Sequence, residues 1–211
     1  MSEFENKRAV VTGAAGAVGR VVAQAFHDAG AFVTGIDIVE HEAPYRTLVA
    51  DLIDPEGARG AVSEAGEIDI LANIAGGFTM GDTIAETADD TWDFMMNLNA
   101  RTVLNMTRAV VPGMVARGSG KIVNIGARGA LRGAAAMGAY VASKSVVRMR
   151  LSKRAADSTV REAVASRSPV LAVTAATPGA SAAARPVAST ATTSGVAEVQ
   201  AKAGAAAAAM P

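Results

Sequence analysis

The chain has 211 residues, of which 50% are hydrophobic, and it carries 20 basic and 20 acidic side chains. This length and composition suit one α/β domain with a sizeable core, or slightly more than one domain. The zero net charge and the lack of a basic cluster argue against a nucleic-acid partner. The absence of cysteine excludes disulfides and thiolate metal sites.

The first eight residues are charged and lack the apolar core of a signal peptide. No apolar run approaches the length of a membrane span. We therefore expect a soluble, cytoplasmic protein with no membrane partner. His27 and His41 are isolated from other ligand types, so the sequence predicts no metal site.

A short β-branched strand, residues 9–12, breaks into a glycine-rich turn that is followed by a helical pattern. Apolar residues recur at helical spacing from Val18 to Phe26. Gly13 permits a tight turn, and the start of the helix offers free N–H groups to a pyrophosphate. Gly19 lets the helix and the strand pack closely. The turn predicts dinucleotide binding, and a plain strand-to-helix connection is the alternative.

The second predicted strand, residues 31–36, ends at Asp37. A carboxylate at this place accepts hydrogen bonds from both hydroxyls of an adenosine ribose and repels a 2′-phosphate. The sequence therefore predicts NAD rather than NADP as the cofactor. A solvated loop carboxylate is the alternative interpretation of Asp37.

Strands and helices alternate along the next part of the chain. Strands are predicted at 47–52, 68–74 and 121–125, and helices at 55–65 and 87–118, the latter with a break near Asn97 to Asn99. This alternation predicts an α/β fold with a Rossmann-type, doubly wound parallel sheet in a three-layer α/β/α single domain. Asp51 is either an adenine contact at the carboxyl edge of the sheet or the N-cap of the helix that begins at Pro55.

Tyr140 and Lys144 are four residues apart on a predicted helix and share one face. An unperturbed phenol titrates at about 10, and a nearby ammonium and the positive charge of a nicotinamide can lower this pKa toward neutrality. Tyr140 is therefore a candidate acid/base, and an ordinary surface pair is the alternative.

These motifs, in this order, resemble those of the short-chain dehydrogenase/reductase family. The resemblance extends over residues 7–147 and rests on residues 12–19, Asp37, Asp51–Leu52, Asn73–Gly76, the stretch from Asn97 to Pro112, and Tyr140 with Lys144. It implies an NAD(P)-dependent oxidoreductase that acts on CH–OH or C=O groups of a small-molecule substrate. It also implies a homodimer or homotetramer.

The resemblance assigns a role to each matching residue. Tyr140 would exchange the proton at the substrate oxygen, Lys144 would hold the nicotinamide ribose and lower the Tyr140 pKa, and Asn99 would hold a water of the proton relay. The positions implied to bind the cofactor are Gly13, Ala15, Gly16, Val18, Gly19, Asp37, Ile38, Asp51, Leu52, Asn73, Ala75, Gly76, Tyr140, Lys144, Pro178 and Gly179.

The sequence departs from the family pattern at three places. Ala17 replaces the middle glycine of the turn, Ile74 replaces an asparagine, and Ala127 replaces the serine that normally hydrogen-bonds the substrate oxygen. Loss of one such donor typically costs on the order of 10²- to 10³-fold in rate. Arg128, Asn124 or a water could replace the serine, whereas Ser143 is expected to point elsewhere. An NAD-binding protein with little or no turnover is therefore the alternative function.

Four large side chains follow the fourth predicted strand, and two of them lie within the helix predicted at 87–118. Phe78 and Met80 either line a substrate pocket or pack in the core. Trp92 and Phe94 are expected to pack in the core.

The last part of the chain, residues 148–211, differs from the domain over residues 1–147. Residues 1–144 are acidic, with 12 Lys and Arg against 17 Asp and Glu. The last part is basic and contains no aromatic residue. The sequence predicts one more helix, a strand over 170–174 and an irregular tail. Either the tail has diverged and is low in large apolar groups, or the reading frame changes after about Met149, and we favour the second interpretation.

Overall fold

The computed structural model describes Ser2, residues 4–147, and the backbone of residues 158–164 and 172–178. In these ranges the helices are α1 (Ala17–Asp28), α2 (Pro55–Ala65), α3 (Asp89–Met96), α4 (Thr102–Arg117), α5 (Gly129–Arg132) and α6 (Gly138–Val146). A π-helical turn, Asn97–Arg101, joins α3 to α4. The strands are β1 (Arg8–Thr12), β2 (Phe32–Asp37), β3 (Arg46–Val49), β4 (Ile70–Asn73), β5 (Lys121–Ile125), β6 (Ser158–Val164) and β7 (Ala172–Pro178).

Seven strands of these described ranges form one sheet in the order β3-β2-β1-β4-β5-β7-β6. The first five are parallel, and they pair in the order of a doubly wound fold with β1 beside both β2 and β4. The predicted Rossmann-type sheet is therefore confirmed. In such a fold the ligand binds at the carboxyl ends of the strands, next to β1, where the order of the strands in the sheet reverses.

The sheet stops being parallel after β5. β7 runs antiparallel to β5, and β6 runs antiparallel to β7. The strand predicted over 170–174 begins at Ala172 and extends to Pro178, and β6 was not predicted. Only residues 165–171 separate β6 from β7, which is shorter than the dozen or so residues that a parallel crossover needs. The helix predicted after Val147 lies outside the described residues.

Both faces of the parallel sheet are covered. On one face, Val11 and Val33 pack against Val22 and Phe26 of α1. On the other face, Val10, Ile36 and Leu71 pack against α2 and α4. Alternate residues of β1 therefore enter two separate cores, as expected for a strand buried on both sides.

The start of α2 follows the ordinary capping rule. Asp54 is the N-cap of α2, and its carboxylate accepts hydrogen bonds from the Glu56 and Gly57 N–H groups at 3.1 Å. The alternative in which Asp51 fills this role is wrong, because Asp51 lies three residues before the N-cap position. Its carboxylate instead accepts a hydrogen bond from the Ile53 N–H at 2.8 Å.

The break predicted near Asn97 to Asn99 is the π-helical turn. The extra residue in this turn changes the direction of the side chains that follow it. Such π-helical turns are frequent at functional sites. Phe94, just before it, is 56% exposed and Trp92 is also exposed, so the prediction that both pack in the core was wrong. Within the part of the chain that the structure describes, no helix is long and apolar enough to cross a bilayer.

Candidate active site

The glycine-rich turn between β1 and α1 is built without room for side chains. Gly13 has a φ of +68°, and a Cβ there would lie 2.8 Å from the Ala75 backbone. A Cβ on Gly19 would overlap the Gly13 carbonyl group. The two glycines therefore permit the tight turn and the close packing of helix on strand that the sequence predicts.

The first turn of α1 is open to an anion. The N-cap residue is Gly16, so no side chain accepts the N–H groups of this first turn. A helix start with free N–H groups and a positive dipole end favours a phosphate. Val18 lies in this first turn, and Ala15 lies just before it. Both residues were also predicted to contact the cofactor.

Asp37 connects the end of β2 to the glycine-rich turn. One oxygen of its carboxylate accepts a hydrogen bond from the Ala15 N–H at 2.9 Å, and the other accepts from the Ile38 N–H at 2.8 Å. The second oxygen also accepts from the Val39 N–H at 3.4 Å, so the free lone pair is on the first oxygen. Asp37 can therefore hold the turn and still accept a hydrogen bond from a ligand hydroxyl, and the Ile38 side chain beside it is exposed.

The turn after β3 is fixed by a residue that the sequence analysis missed. The Asn105 amide of α4 donates hydrogen bonds to the carbonyl groups of Leu52 and Ile53 at 3.0 and 2.9 Å. Leu52 is buried, whereas the Asp51 side chain next to it is exposed. An asparagine within a helical pattern gives no signal in the sequence that its partner lies about 50 residues away.

The turn after β4 is held by a second missed interaction. The Thr12 hydroxyl accepts hydrogen bonds from the Ile74 and Ala75 N–H groups, both at 3.0 Å. The Asn73 amide donates to the Asn124 side-chain oxygen at 2.9 Å, and the Asn73 oxygen is buried without a partner in the structure. The side chain of Asn73 therefore ties β4 to β5.

Asn99 lies in the π-helical turn and is fully buried. Its side-chain oxygen accepts a hydrogen bond from the Gly77 N–H at 3.0 Å, and its amide donates to the Gly77 carbonyl and the Ser143 hydroxyl at 3.1 Å each. A Cβ on Gly76 would come within 2.9 Å of the Lys144 Nζ atom and closer still to Asn99. Gly76, Asn99 and Lys144 therefore meet at the carboxyl edge of the sheet.

Lys144 is buried, with a residue exposure of only 7%. Its ammonium group donates a hydrogen bond to the Ile125 carbonyl at 3.3 Å. Burial lowers the pKa of Lys144 to about 8, because a desolvated ammonium is less stable than the neutral amine. The group is therefore still mostly cationic at neutral pH.

Tyr140 is half-buried on the same helix, one turn before Lys144. Burial raises the pKa of the Tyr140 phenol above its usual value. This direction is opposite to the lowering that the sequence analysis predicted. The phenol therefore carries its proton at neutral pH. Its ring meets that of Phe78 edge to face, with ring centres 4.8 Å apart.

The position of the missing serine is occupied by the buried Ala127. Ser143 faces Asn99 and is fully buried, and its hydroxyl donates a hydrogen bond to the Tyr140 carbonyl at 2.8 Å. The Asn124 amide donates to the Val147 carbonyl at 3.4 Å, and Arg128 is exposed. Two of the side chains considered as replacements for serine therefore already have partners.

The two remaining candidates come from the C-terminal part of the chain. Pro178 ends β7, where its backbone lies opposite Ser158 of β6. Gly179 lies outside the described residues.

The carboxyl edge of the sheet fits a dinucleotide. The glycine turn leads to an uncapped helix start, a carboxylate stands at the end of β2, and Gly76 packs so closely against Lys144 and Asn99 that a Cβ there would overlap both. The first feature suits a pyrophosphate, the second suits a ribose hydroxyl, and the third places a buried cation at the same edge.

Comparison with known proteins gives consistent matches. A family model described as short chain dehydrogenase matches residues 7–191. Dehydrogenase/reductase SDR family member 6 of Rattus norvegicus is 35% identical over 155 residues, which cover 70% of this chain and 63% of the rat protein. The 2-dehydro-3-deoxy-D-gluconate 5-dehydrogenase of Escherichia coli (strain K12) is 36% identical over 159 residues, covering 68% of this chain and 62% of that protein.

A solved structure gives the same result for the fold. The ligand-free aldohexose dehydrogenase of Thermoplasma acidophilum superposes with a TM-score of 0.65 at 28% identity, over 69% of this chain and 59% of that one. The chain thus spans about three fifths of the length of these relatives. Since the family model matches most of the sequence and the fold agrees, the chain belongs to the short-chain dehydrogenase/reductase family.

Proposed function

We propose that this protein is an NAD-dependent oxidoreductase that interconverts a small carbonyl compound and its alcohol, with Tyr140 as the acid/base. The observation that carries the proposal is the meeting of Gly76, Asn99 and Lys144 at the carboxyl edge, with Tyr140 one turn from Lys144 on the same helix face. Binding of a nucleotide alone needs neither a phenol nor a buried lysine.

In the direction of reduction, the phenol of Tyr140 donates its proton to the carbonyl oxygen of the substrate. Its raised pKa keeps the proton in place at neutral pH until the oxygen becomes basic. A bound nicotinamide supplies the hydride to the carbonyl carbon, or accepts it in alcohol oxidation. Lys144 is cationic below about pH 8, so it can donate hydrogen bonds to a ribose and stabilise the phenolate that forms.

Asn99 has a positioning role in this proposal. Its amide binds both backbone groups of Gly77 and the hydroxyl of Ser143, and Ser143 in turn binds the Tyr140 carbonyl. The turn next to the cofactor and the helix of the acid/base are thereby held by one buried side chain. The resemblance to the family supports a water of the proton relay at Asn99.

The preference for NAD rests on Asp37. A 2′-phosphate at the ribose would face a carboxylate that already accepts three backbone hydrogen bonds and lies at the end of β2. The phosphate and the carboxylate are both negatively charged and repel each other, whereas a ribose hydroxyl can donate to the carboxylate.

Ala127 favours a second candidate function, an NAD-binding protein with little or no turnover. Without the serine hydroxyl, one donor to the substrate oxygen is lost, and Ser143 and Asn124 are committed to other partners. An easily reduced carbonyl or imine-like substrate would tolerate this loss.

Fluorescence titration with NADH and NADPH, followed by turnover assays on a panel of ketones and alcohols, tests the proposal. We expect NADH to bind more tightly than NADPH and at least one carbonyl compound to be reduced. Tight NADH binding with no oxidation across the panel would instead support the binding protein.

We also propose that the protein acts in the cytoplasm as a homodimer or homotetramer, on the basis of the family resemblance. Sedimentation of the purified chain tests the assembly state, and a monomer at micromolar concentration would contradict it.

A further inference from the structure

Three large apolar side chains are exposed on the segment that follows the turn after β4. The exposed fractions are 56% for Phe78, 57% for Met80 and 68% for Ile84. The sequence left open whether Phe78 and Met80 pack in the core, and this exposure excludes it. Large apolar side chains that cluster at the surface of a monomer commonly mark a ligand or partner site.

The segment 78–84 borders the proposed acid/base. The Phe78 and Tyr140 rings meet edge to face at 4.8 Å and an interplanar angle of 84°. The Gly81 N–H donates a hydrogen bond to the Ala136 carbonyl at 2.9 Å, and the Ile84 side chain lies against Gly138 at the start of α6. The segment is thus fixed to the chain that leads into the Tyr140 helix.

The charges of this segment disfavour an anionic ligand. The sequence has no lysine or arginine between Arg59 and Arg101, whereas Asp82 and Glu86 lie within or just after the apolar segment. Hydrogen bonds from the N–H and hydroxyl groups of Thr83 lower the pKa of the Glu86 carboxyl, so it is ionised at neutral pH. Arg128 and Arg132, at the two ends of α5, are exposed.

We propose that the segment 78–84 forms one wall of the substrate site and selects an uncharged substrate with an aromatic or other large apolar group next to its carbonyl. Phe78 packs against that group while Tyr140 faces the carbonyl oxygen. A ketone gains a hydride at carbon from the reduced dinucleotide and a proton at oxygen from Tyr140, which yields the secondary alcohol and the oxidised dinucleotide. The inference rests on the proposed function and names its substrate class.

Two ketones that differ by one carboxylate test the inference. Acetophenone and 4-acetylbenzoate present the same aryl ketone, and only the second carries a negative charge. With NADH in excess, kcat/KM for acetophenone should exceed that for 4-acetylbenzoate by at least about tenfold, within the range that one pocket contact contributes. Equal or better use of 4-acetylbenzoate would overturn the inference, and would leave the proposed oxidoreductase intact.

Two phenylalanine variants test whether Phe78 forms part of the wall of the substrate site. Phe78→Ala should lower kcat/KM for acetophenone about tenfold more than it lowers the value for acetone, which has little apolar surface. Phe32→Ala removes an equally exposed ring at the amino end of β2, away from the carboxyl edge, and should change neither. A Phe78→Ala variant with unchanged discrimination between acetophenone and acetone would overturn the inference.

A binding measurement separates failure of this inference from failure of the proposed function. Ligand-observed NMR of acetophenone with the protein and NADH should show saturation transfer that Phe78→Ala weakens and Phe32→Ala does not. If no ketone is reduced and this signal is still present, the oxidoreductase proposal fails while the apolar site stands. If the signal is absent or independent of Phe78, the apolar site fails.

Discussion

At the scale of single residues, Asp37 decides the proposed choice between the two dinucleotides. Replacement of Asp37 by Asn removes the negative charge but keeps an oxygen that can accept the Ala15 N–H. We expect the affinity for NADPH to rise relative to that for NADH by about tenfold, equivalent to about 1.4 kcal/mol. Fluorescence titration of the parent and the variant with both reduced nucleotides measures this ratio.

Asp28→Asn is the matched control, because it removes the same charge from an exposed position at the end of α1. It should leave the ratio unchanged. A parent protein that binds NADPH as tightly as NADH would refute the role of Asp37.

The buried Lys144 should make the stability of the folded protein depend on pH. Burial lowers its pKa to about 8 from its ordinary value of 10.5, so between these pH values the unfolded chain binds more protons than the folded one. The free energy of unfolding should therefore rise as the pH increases from about 8 to 10, by up to about 3 kcal/mol. Urea denaturation at several pH values measures this rise.

Lys144→Met should abolish this rise, since the variant has no ammonium to desolvate. Lys7→Met, at an exposed position, should retain it. An identical pH dependence in Lys144→Met and in the parent would show that Lys144 is not desolvated in the folded protein.

At the scale of elements, the boundaries that depend on local chemistry could be predicted from the sequence. Pro55 at the start of α2 and Gly118 after α4 mark their helix ends, and Gly118 has the left-handed φ of +67° that a C-terminal glycine commonly adopts. The interactions made by Thr12 and Asn105 could not be predicted, because each joins parts of the chain about 50 or more residues apart. The edge-to-face contact of Phe78 with Tyr140 was missed for the same reason.

The cap of α2 gives a prediction at this scale. Asp54→Ala removes the acceptor for the Glu56 and Gly57 N–H groups and should lower the free energy of unfolding by about 1 kcal/mol. Thermal denaturation should show a lower Tm, by about 2–4 °C.

Asp51→Ala is the comparison that separates the two carboxylates, because the Asp51 carboxylate accepts from the Ile53 N–H, which lies before the helix. It should cost less stability than Asp54→Ala. A larger loss of stability in Asp51→Ala than in Asp54→Ala would reverse the assignment of the cap.

At the scale of the whole molecule, the alternating pattern of residues 1–147 determines the parallel sheet, and the structure agrees with it strand by strand. The pattern fails after Val147, where β6 was not predicted and β7 runs antiparallel to β5. Residues 158–164 and 172–178 contain few large apolar side chains, so periodicity gives little indication of direction or pairing. Curated relatives match 68–70% of the chain, and the family model matches residues 7–191, which extends past Val147.

The change of reading frame that we favour after about Met149 has a direct test. The intact mass of the protein isolated from its natural source should differ from the 21.2 kDa of the present sequence. A measured mass of 21.2 kDa would establish the divergent tail instead.

The central claim is that a dinucleotide bound at the carboxyl edge exchanges a hydride with a substrate whose oxygen exchanges its proton with Tyr140. Tyr140→Phe removes only the hydroxyl and keeps the ring that meets Phe78. In single-turnover reduction with NADH, the rate constant should fall by about 10²- to 10⁴-fold, the usual contribution of a general acid. The Kd for NADH should stay within about twofold, because the hydroxyl is not part of the pyrophosphate or adenosine contacts. A Tyr140→Phe variant that reduces the substrate at the rate of the parent would contradict the account.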